Sequence, residues 1–407
     1  MNDILLVSEC CTSNRYEKMM RIGNMPISAS QFMFSNLIKG FSQCNDSRVT
    51  VLSSIRAPST AEKKQKCQKR EIDCEYGFEY IYPSSINVSG VHFLWTWLMI
   101  FKETARWCRE HKNKSRYIVC DSLINCAIPA RIAGKLFGVQ TVAYVTDLPQ
   151  FMEEIDEGKY NAKLQILIRI LSKMIKKDIV KYDRYITLTE GLNQYANPEK
   201  KPHINVECIM DAEVDVGASE KRDGTNFIVM FAGKTNRLFG METLLEAITL
   251  IERSDIQFHI YGKGNYDEQI KEAAKKDGRI VYHGLRPHQE ILLKEKQADL
   301  LVNNRPTNYQ FARLSFPSKV AEYMASGTPV LSTRLPGIPE DYEQYLWYLD
   351  NEDAADVANA IMGILSLSDE ERTARGQAAK QYIEKNKNPQ VQARRVIVFL
   401  SKNETEE

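Results

Sequence analysis

The feature that most constrains this chain is an alternation of strand and helix that runs twice, with one lapse between the runs. Short apolar segments at 3–8 (DILLVS), 48–54, 117–121, 141–147 and 184–189 have the length of strands buried on both faces. Helical stretches at 29–41 and 125–137 separate them. Between 197 and 226 the pattern gives way to polar segments (NPEKKPH, ASEKRDGTN) around one short strand, which reads as an interdomain connection. A second series then sets strands at 227–233, 256–262, 279–284, 298–304 and 328–333 against helices at 240–252, 266–276, 287–296 and 317–326. The pattern predicts an α/β chain of two doubly wound parallel-sheet domains, 1–197 and 227–387, joined through 198–226. A helical segment at 388–402 and a polar tail follow. At 407 residues the chain exceeds one ordinary core, in keeping with two domains. Ligands of open α/β sheets bind at the carboxyl ends of the strands, so a ligand is expected in an interdomain cleft.

Composition excludes several classes. A formal net charge of +1 gives no general affinity for nucleic acid, so any basic surface must be local. The nine cysteines form no C-x-x-C pair and fit neither a zinc site nor a disulfide scaffold; buried free thiols of a reducing compartment are expected. The start MNDILLVSECC has no basic region ahead of an apolar run, and no segment approaches the ~18 apolar residues of a membrane-spanning helix. A cytoplasmic protein is expected. A nicotinamide enzyme is disfavoured, because SECCTSN stands where G-x-G-x-x-G would follow the first strand.

The stretch SFPSKVAEYMASGTPV (315–330) is the most informative. Pro317 suits a first helical turn and Gly327 a left-handed C-terminus, leaving about three turns between them. The free N–H groups around Ser318 and the helix dipole favour an anion. Lys319 places a cation in that first turn, against the dipole, which suits an anionic ligand. Glu322 lies three residues on, on the same face, and its carboxylate can accept from a pair of hydroxyls. Phosphate beside a diol describes a nucleotide. The alternative is a solvated Lys319–Glu322 pair on a surface helix.

SFPSKVAEYMASGTPV followed by LPGIPEDY, together with VTDLP (145–149), LTEGLN (188–193) and LLVNNRPTNYQFARLSFPSK (300–319), resembles the family 4 retaining glycosyltransferases. The likeness is strongest to bacterial enzymes that build capsule and exopolysaccharide, and weakest at about 56–115. The resemblance implies the GT-B fold: two facing Rossmann-like domains, acceptor on the first, nucleotide-sugar on the second, and a terminal helix crossing back to the first. It implies a nucleoside diphosphate sugar as co-substrate, a glycan or lipid-linked oligosaccharide acceptor, and no cofactor.

By position in the family motifs, Glu322 matches the second glutamate of E-x7-E and is expected to hold the ribose diol. Leu314 stands where the first glutamate, which contacts sugar hydroxyls, would be. Lys319 and the amides around Ser318 are expected to face the diphosphate. The family's Gly-Arg after the first strand of the second domain is Gly233-Lys234 here, keeping a cation. Phe239 occupies the usual lysine position before Gly240. Arg237 either supplies the second charge or is a plain loop arginine. Gly262 (in YGKG) and Arg286 (in HGLR) lie in loops where the base is expected, and Arg305 is a strand-end arginine of the same site. Asp147 either orients the donor sugar or the acceptor hydroxyl, or caps a turn before Pro149. Gly23 and Asn24 match the family's flexible loop, expected to cover the donor on closure. Cations and helix N-termini neutralise a leaving diphosphate electrostatically. No D-x-D stands in the usual setting, so no metal is expected.

On the acceptor side, segment 161–183 carries Leu164, Leu167, Ile168, Leu171 and Ile175 at helical spacing, amid Lys163, Arg169, Lys173, Lys176, Lys177 and Lys181. FLWTWLMIF (93–101) adds tryptophans. Such surfaces suit the anionic inner face of a membrane, or else the apolar stripes pack on the first sheet. Two other classes stay open: a nucleotide-sugar epimerase of the same architecture, and a non-catalytic nucleotide-sugar-binding subunit, given Leu314.

Overall fold

The computed structural model describes residues 1–21, 29–55, 67–86, 88, 91–112, 115–148, 162–211 and 226–402. They divide into two compact units, one of Met1–Ile209 with Pro389–Glu407 and the other of Met210–Asn388.

The first unit contains β1 (Asn2–Ser8), β2 (Ser47–Ser53), β3 (Cys67–Gln68), β4 (Glu71–Glu75), β5 (Phe78–Tyr82), β6 (Ser85–Ile86), β7 (Arg116–Asp121), β8 (Gln140–Val145), β9 (Arg184–Thr187) and β10 (His203–Asn205). Its main sheet runs β10-β9-β8-β7-β1-β2-β5-β4, parallel except for the β4–β5 hairpin, while β3 and β6 pair apart from it. The central strand β1 is buried along its whole length and pairs in parallel register with β2 and β7 (Ile4 opposite Val49 and Tyr117). That two-sided burial is what its unbroken apolar run requires. The β4–β5 turn places Tyr76 (φ 54°) and Gly77 (φ 79°) in the left-handed region, as a two-residue hairpin demands.

The final helix, Pro389–Ser401, packs in the first unit's core, with Ala393, Val396, Phe399 and Leu400 in one cluster with Phe34, Leu37, Ile38 and Phe41 of helix Ala29–Cys44. Gly40 permits the approach, since a Cβ there would lie 2.0 Å from the Pro389 carbonyl oxygen. The buried Arg184 guanidinium donates to the carbonyls of Phe399 and Lys402, each at 2.7 Å, and ties down the chain end.

Two segments differ from the sequence expectation. Residues 203–205, read as connection, pair in parallel with β9 and close the edge of the first sheet. The stretch 67–110 holds β3 to β6 and helix His92–Glu110, whose strands are too short or too polar to signal themselves. Trp95 and Trp97 of that helix are half-buried, with their indole N–H groups donating to the Ser84 carbonyl (3.0 Å) and the Asn125 side chain (3.2 Å), while Trp107 is buried.

The second unit contains β11 (Phe227–Ala232), β12 (Ile256–Tyr261), β13 (Ile280–Gly284), β14 (Leu300–Asn303), β15 (Val330–Ser332) and β16 (Trp347–Tyr348) in the order β13-β12-β11-β14-β15-β16, all parallel. Counted from β11, this is the 3-2-1-4-5-6 order of dinucleotide-binding sheets, whose direction reverses between β11 and β14. The first unit has the same reversal, between β1 and β7.

Candidate functional site

The carboxyl edge of β11 and β12 is built from backbone with little side-chain cover. Gly262 has φ +136°, and a Cβ there would lie 1.7 Å from the Gly233 carbonyl oxygen. A Cβ on Gly264 would meet both Asn236 Oδ1 and the Thr235 carbonyl at 2.3 Å. Only glycine lets these two loops touch. Asp267 locks them together: its Oδ1 accepts from the Gly264 amide at 2.8 Å and from the buried Thr235 hydroxyl. Gly233 itself has room, with no atom nearer than 3.5 Å to the site of a Cβ. On the other side of the switch point, Gly240 (φ +83°) would drive a Cβ to 2.1 Å from the Asn304 carbonyl oxygen, so the loops after β11 and β14 pack backbone to backbone, with Asn304 Nδ2 donating to the Gly240 carbonyl at 2.8 Å.

Lys234 is exposed just past the end of β11. Arg237 is largely exposed and pairs with Glu242 at 2.6 Å. The position usually held by lysine, Phe239, has another role here. The Arg305 guanidinium, 7% exposed, lies 4.2 Å from the centroid of the Phe311 ring and 5.2 Å from that of Phe239. It also donates to Ser315 Oγ at 3.0 Å. A cation is thus held against aromatic faces beside the Phe239 position. Arg286 donates to the His283 carbonyl at 3.1 Å at the end of β13. Close by, the His283 ring stacks on Tyr261 with centroids 4.2 Å apart.

Helix Ser318–Ser326 begins after Pro317 and ends on Gly327 at φ 82°, as its sequence requires. Ser318 is exposed at its N-terminus. Lys319 and Glu322 do pair, but the pair is only partly solvated. Lys319 Nζ bonds Glu322 Oε1 and lies 3.3 Å from Oε1 of the wholly buried Glu295, and His288 Nε2 lies 3.1 Å from Glu322 Oε2. Burial works against the charge on each of these groups. Lys319 nevertheless has its pKa raised, because the Glu322 and Glu295 carboxylates outweigh burial. Glu322 is held well below the usual carboxylate range, since Lys319 and the His288 hydrogen bond outweigh burial there too. Glu295 is pushed well above that range by burial.

In the first unit, Asp147 follows β8 and its Oδ1 accepts from the Leu148 amide at 2.8 Å. Gly23 and Asn24 lie outside the described residues. Sequence reasoning passed over Asp121, at the carboxyl end of β7 beside the first unit's switch point. It is 2% exposed and accepts from Ser30 Oγ (2.9 Å) and the Leu123 amide (3.1 Å). Burial pushes its pKa up to about 7 against those two hydrogen bonds. Its signal was the polar residue ending the apolar run YIVCD. His288 and Glu295 were also missed; their spacing of seven places them on one helix face, but only the neighbouring helix reveals its meaning.

On helix Ala162–Ile179, Ile175 and Ile179 are buried, whereas Ile166 (58%), Leu167 (49%) and Ile170 (51%) are exposed, as are Leu94 (68%) and Leu98 (55%) on helix His92–Glu110. The apolar stripe of 161–183 is therefore only partly taken up by packing. All nine cysteines are free, seven of them buried. Among the described residues no cluster of His, Cys, Asp or Glu has metal-ligand geometry, and no helix is long and apolar enough to cross a membrane.

Residues 226–366, most of the second unit, match the family model "Glycosyl transferases group 1". A putative colanic acid biosynthesis glycosyltransferase, WcaL of Escherichia coli K12, is 22% identical over 187 residues, which are 44% of this chain and 46% of that protein. Less than half of the relative's length is thus matched. Among solved structures, HepE of Anabaena in complex with UDP aligns with a TM-score of 0.61 at 11% identity, over 98% of this chain and 100% of its own. Sucrose-phosphate synthase of Thermosynechococcus elongatus aligns at 0.60 and 14% identity, over 98% of each chain. A glycosyltransferase of Rickettsia africae aligns at 0.62 and 12% identity, over 98% of this chain and 97% of its own. At such identities the likeness is one of fold, and that fold is GT-B.

Proposed function

We propose that the chain is a retaining, metal-independent glycosyltransferase that moves a sugar from a nucleoside diphosphate donor to a glycan acceptor in surface polysaccharide synthesis. The observation that carries the reading is the second unit's switch point. There closely packed glycine loops, an exposed lysine, a helix N-terminus and the largely enclosed Glu322 carboxylate, four residues on from the helix's first residue, lie within the segment that matches the group 1 glycosyltransferase model. The matched colanic acid relative and the UDP complex of HepE support the acceptor class and the donor class.

In this reading Glu322 accepts from the ribose hydroxyls. Lys234, Arg305 and the amides at Ser318 receive the charge of the diphosphate, with Arg237 at the rim. The bond from the anomeric carbon to the diphosphate oxygen breaks and its electron pair leaves with the diphosphate. The acceptor oxygen bonds to the same face of the sugar, and its proton passes to the leaving phosphate oxygen. Fixed cations stabilise the charge as it develops, without a metal. Lys319, engaged by two carboxylates, acts on Glu322 rather than as a free cation. Asp147 belongs to the acceptor side. The experiment is transfer from a panel of UDP-, GDP- and ADP-sugars to a lipid-linked oligosaccharide, with the product anomer read by NMR in the presence of EDTA. An inverted product, or activity lost to EDTA and restored by magnesium or manganese, would overturn the mechanism.

Leu314 in the place of a sugar-contacting glutamate favours one second reading, a nucleotide-sugar-binding subunit. Tight donor binding with neither transfer nor donor hydrolysis would identify it, and isomerisation of the donor without acceptor would identify an epimerase. A cytoplasmic protein resting on the inner face of the membrane fits the first unit. Exposed Leu94, Leu98, Ile166, Leu167 and Ile170 lie on helices that also expose Lys102, Arg109, Arg169, Lys173, Lys176 and Lys177. Equal sedimentation with anionic and neutral vesicles would dismiss that surface.

A further inference from the structure

Three ionisable side chains are packed between helix His288–Gln297 and helix Ser318–Ser326: Glu295, fully enclosed; Lys319, about a third exposed; and Glu322, at 14% exposure. Two carboxyl groups share one ammonium. Such a cluster is a poor device for stability, because removing charges from water costs more than their mutual attraction reliably returns. The innermost group makes this plainer still: Glu295 Oε2 is buried without a hydrogen-bond partner. An apolar residue of similar size would fill the same space without that penalty.

What the cluster does achieve is geometric. Lys319 has a long, flexible stem, and alone in a first helical turn its ammonium would swing into solvent. Glu295 draws it inward, and so places it on Oε1 of Glu322. His288, about two turns before Glu295 on the same face of its helix, lies 3.1 Å from Oε2. Both oxygens of Glu322 are thereby fixed from one neighbouring helix. Tyr323 completes the frame: its ring lies 5.9 Å from Lys319 Nζ, and its hydroxyl exchanges hydrogen bonds with the N–H and carbonyl of Ala232, at the end of β11 just before Gly233. The Glu295 backbone is itself held, its carbonyl accepting from Thr328 Oγ1 at 2.6 Å.

We propose that Glu295 is a positioning residue for nucleotide recognition, anchoring Lys319 so that the Glu322 carboxylate is presented in one fixed orientation to the ribose hydroxyls of the donor. The inference rests on the donor reading of this site. It makes hydroxyl recognition a property of both helices, and assigns a role to a side chain that no ligand can touch.

The test is calorimetric affinity for UDP, GDP and ADP against their 2′-deoxy counterparts, in the full chain and in Glu295→Gln. Loss of a hydrogen bond to a charged group corresponds to about tenfold or more in affinity, so the wild type should prefer its ribonucleotide by at least that factor. Glu295→Gln should reduce the preference to within about threefold while leaving affinity for the 2′-deoxy nucleotide unchanged. A role confined to stability would lower the unfolding midpoint and leave the preference intact; that result overturns the proposal. Should Glu295→Gln fail to fold, Lys319→Met removes the bridging cation and carries the same expectation. Wild-type protein that binds none of the nucleotides would refute the donor reading itself, and the inference with it, which is a different result from a variant that keeps its discrimination.

Discussion

Restoring lysine at position 239 should destabilise the empty protein and be partly rescued by nucleotide. The Phe239 ring lies 5.2 Å from the Arg305 guanidinium and 5.8 Å from the Phe311 ring. Phe239→Lys removes the aromatic–cation contact, worth about 0.5–2 kcal/mol. It also sets a second positive charge at a comparable distance. Two unit charges about 5 Å apart repel by about 3 kcal/mol at an effective dielectric of about 20. Phe239 is only half-buried, so the new ammonium can turn outward and shed part of that repulsion. The expected sum is a loss of about 2–4 kcal/mol, or about 5–15 °C in unfolding midpoint at the usual sensitivity of a unit of this size. The assay is thermal and urea unfolding of wild type and variant, with and without a nucleoside diphosphate. A diphosphate between the two cations turns repulsion into attraction, so saturating nucleotide should raise the variant's midpoint by more than the wild type's. A variant as stable as wild type without ligand would refute the aromatic clamp; a variant destabilised but indifferent to nucleotide would place the diphosphate elsewhere.

Glu322→Gln should weaken nucleotide binding by about 1.5–3 kcal/mol, the scale of hydrogen bonds to a charged group, as read by calorimetry. Gly262→Ala should abolish nucleotide binding and lower the unfolding midpoint, because its methyl group would fall 1.7 Å from a backbone oxygen that cannot move alone; intact binding would show that the two loops do not form the cradle. Asp121 makes stability depend on pH. Its folded pKa is raised from 3.8 to about 7, so the native state keeps a proton that the unfolded chain releases, and stability falls as pH rises between those values. Asp121→Asn should remove that slope, measured as urea midpoints at pH 5 and pH 8.

How much of this was legible in the sequence varied with the range of the interaction. The strands β1, β2, β7, β8, β11 and β12 announced themselves because each is a short, largely buried apolar run, of strand rather than helix length. The Pro317 and Gly327 boundaries were equally legible, since each residue's backbone preference acts on its own position. β4 was not: as an antiparallel edge strand it carries Glu71, Asp73 and Glu75, whose charges read as loop. In the site, the pairing of Lys319 with Glu322 was visible at a spacing of three, yet its burial was not, because Glu295 and His288 arrive from another helix. Phe239 is the clearest case. In the sequence it is a missing cation; in the fold it is the surface against which Arg305, 66 positions later, is held.

The place of helix Pro389–Ser401 in the first unit's core bears on how the chain is made. A ribosome delivers residues 1–209 with the apolar flank of helix Ala29–Cys44 still uncovered, and the segment that covers it emerges only after the whole second unit. The second unit, continuous from Met210 to Asn388, has all its strands beforehand and can fold while synthesis proceeds. Assembly therefore runs against the order of the sequence: the half that begins first finishes last. Until it does, the nascent protein shows sticky surface to the cell, and loss of helix Pro389–Ser401 would injure a unit whose other elements are all encoded before Met210.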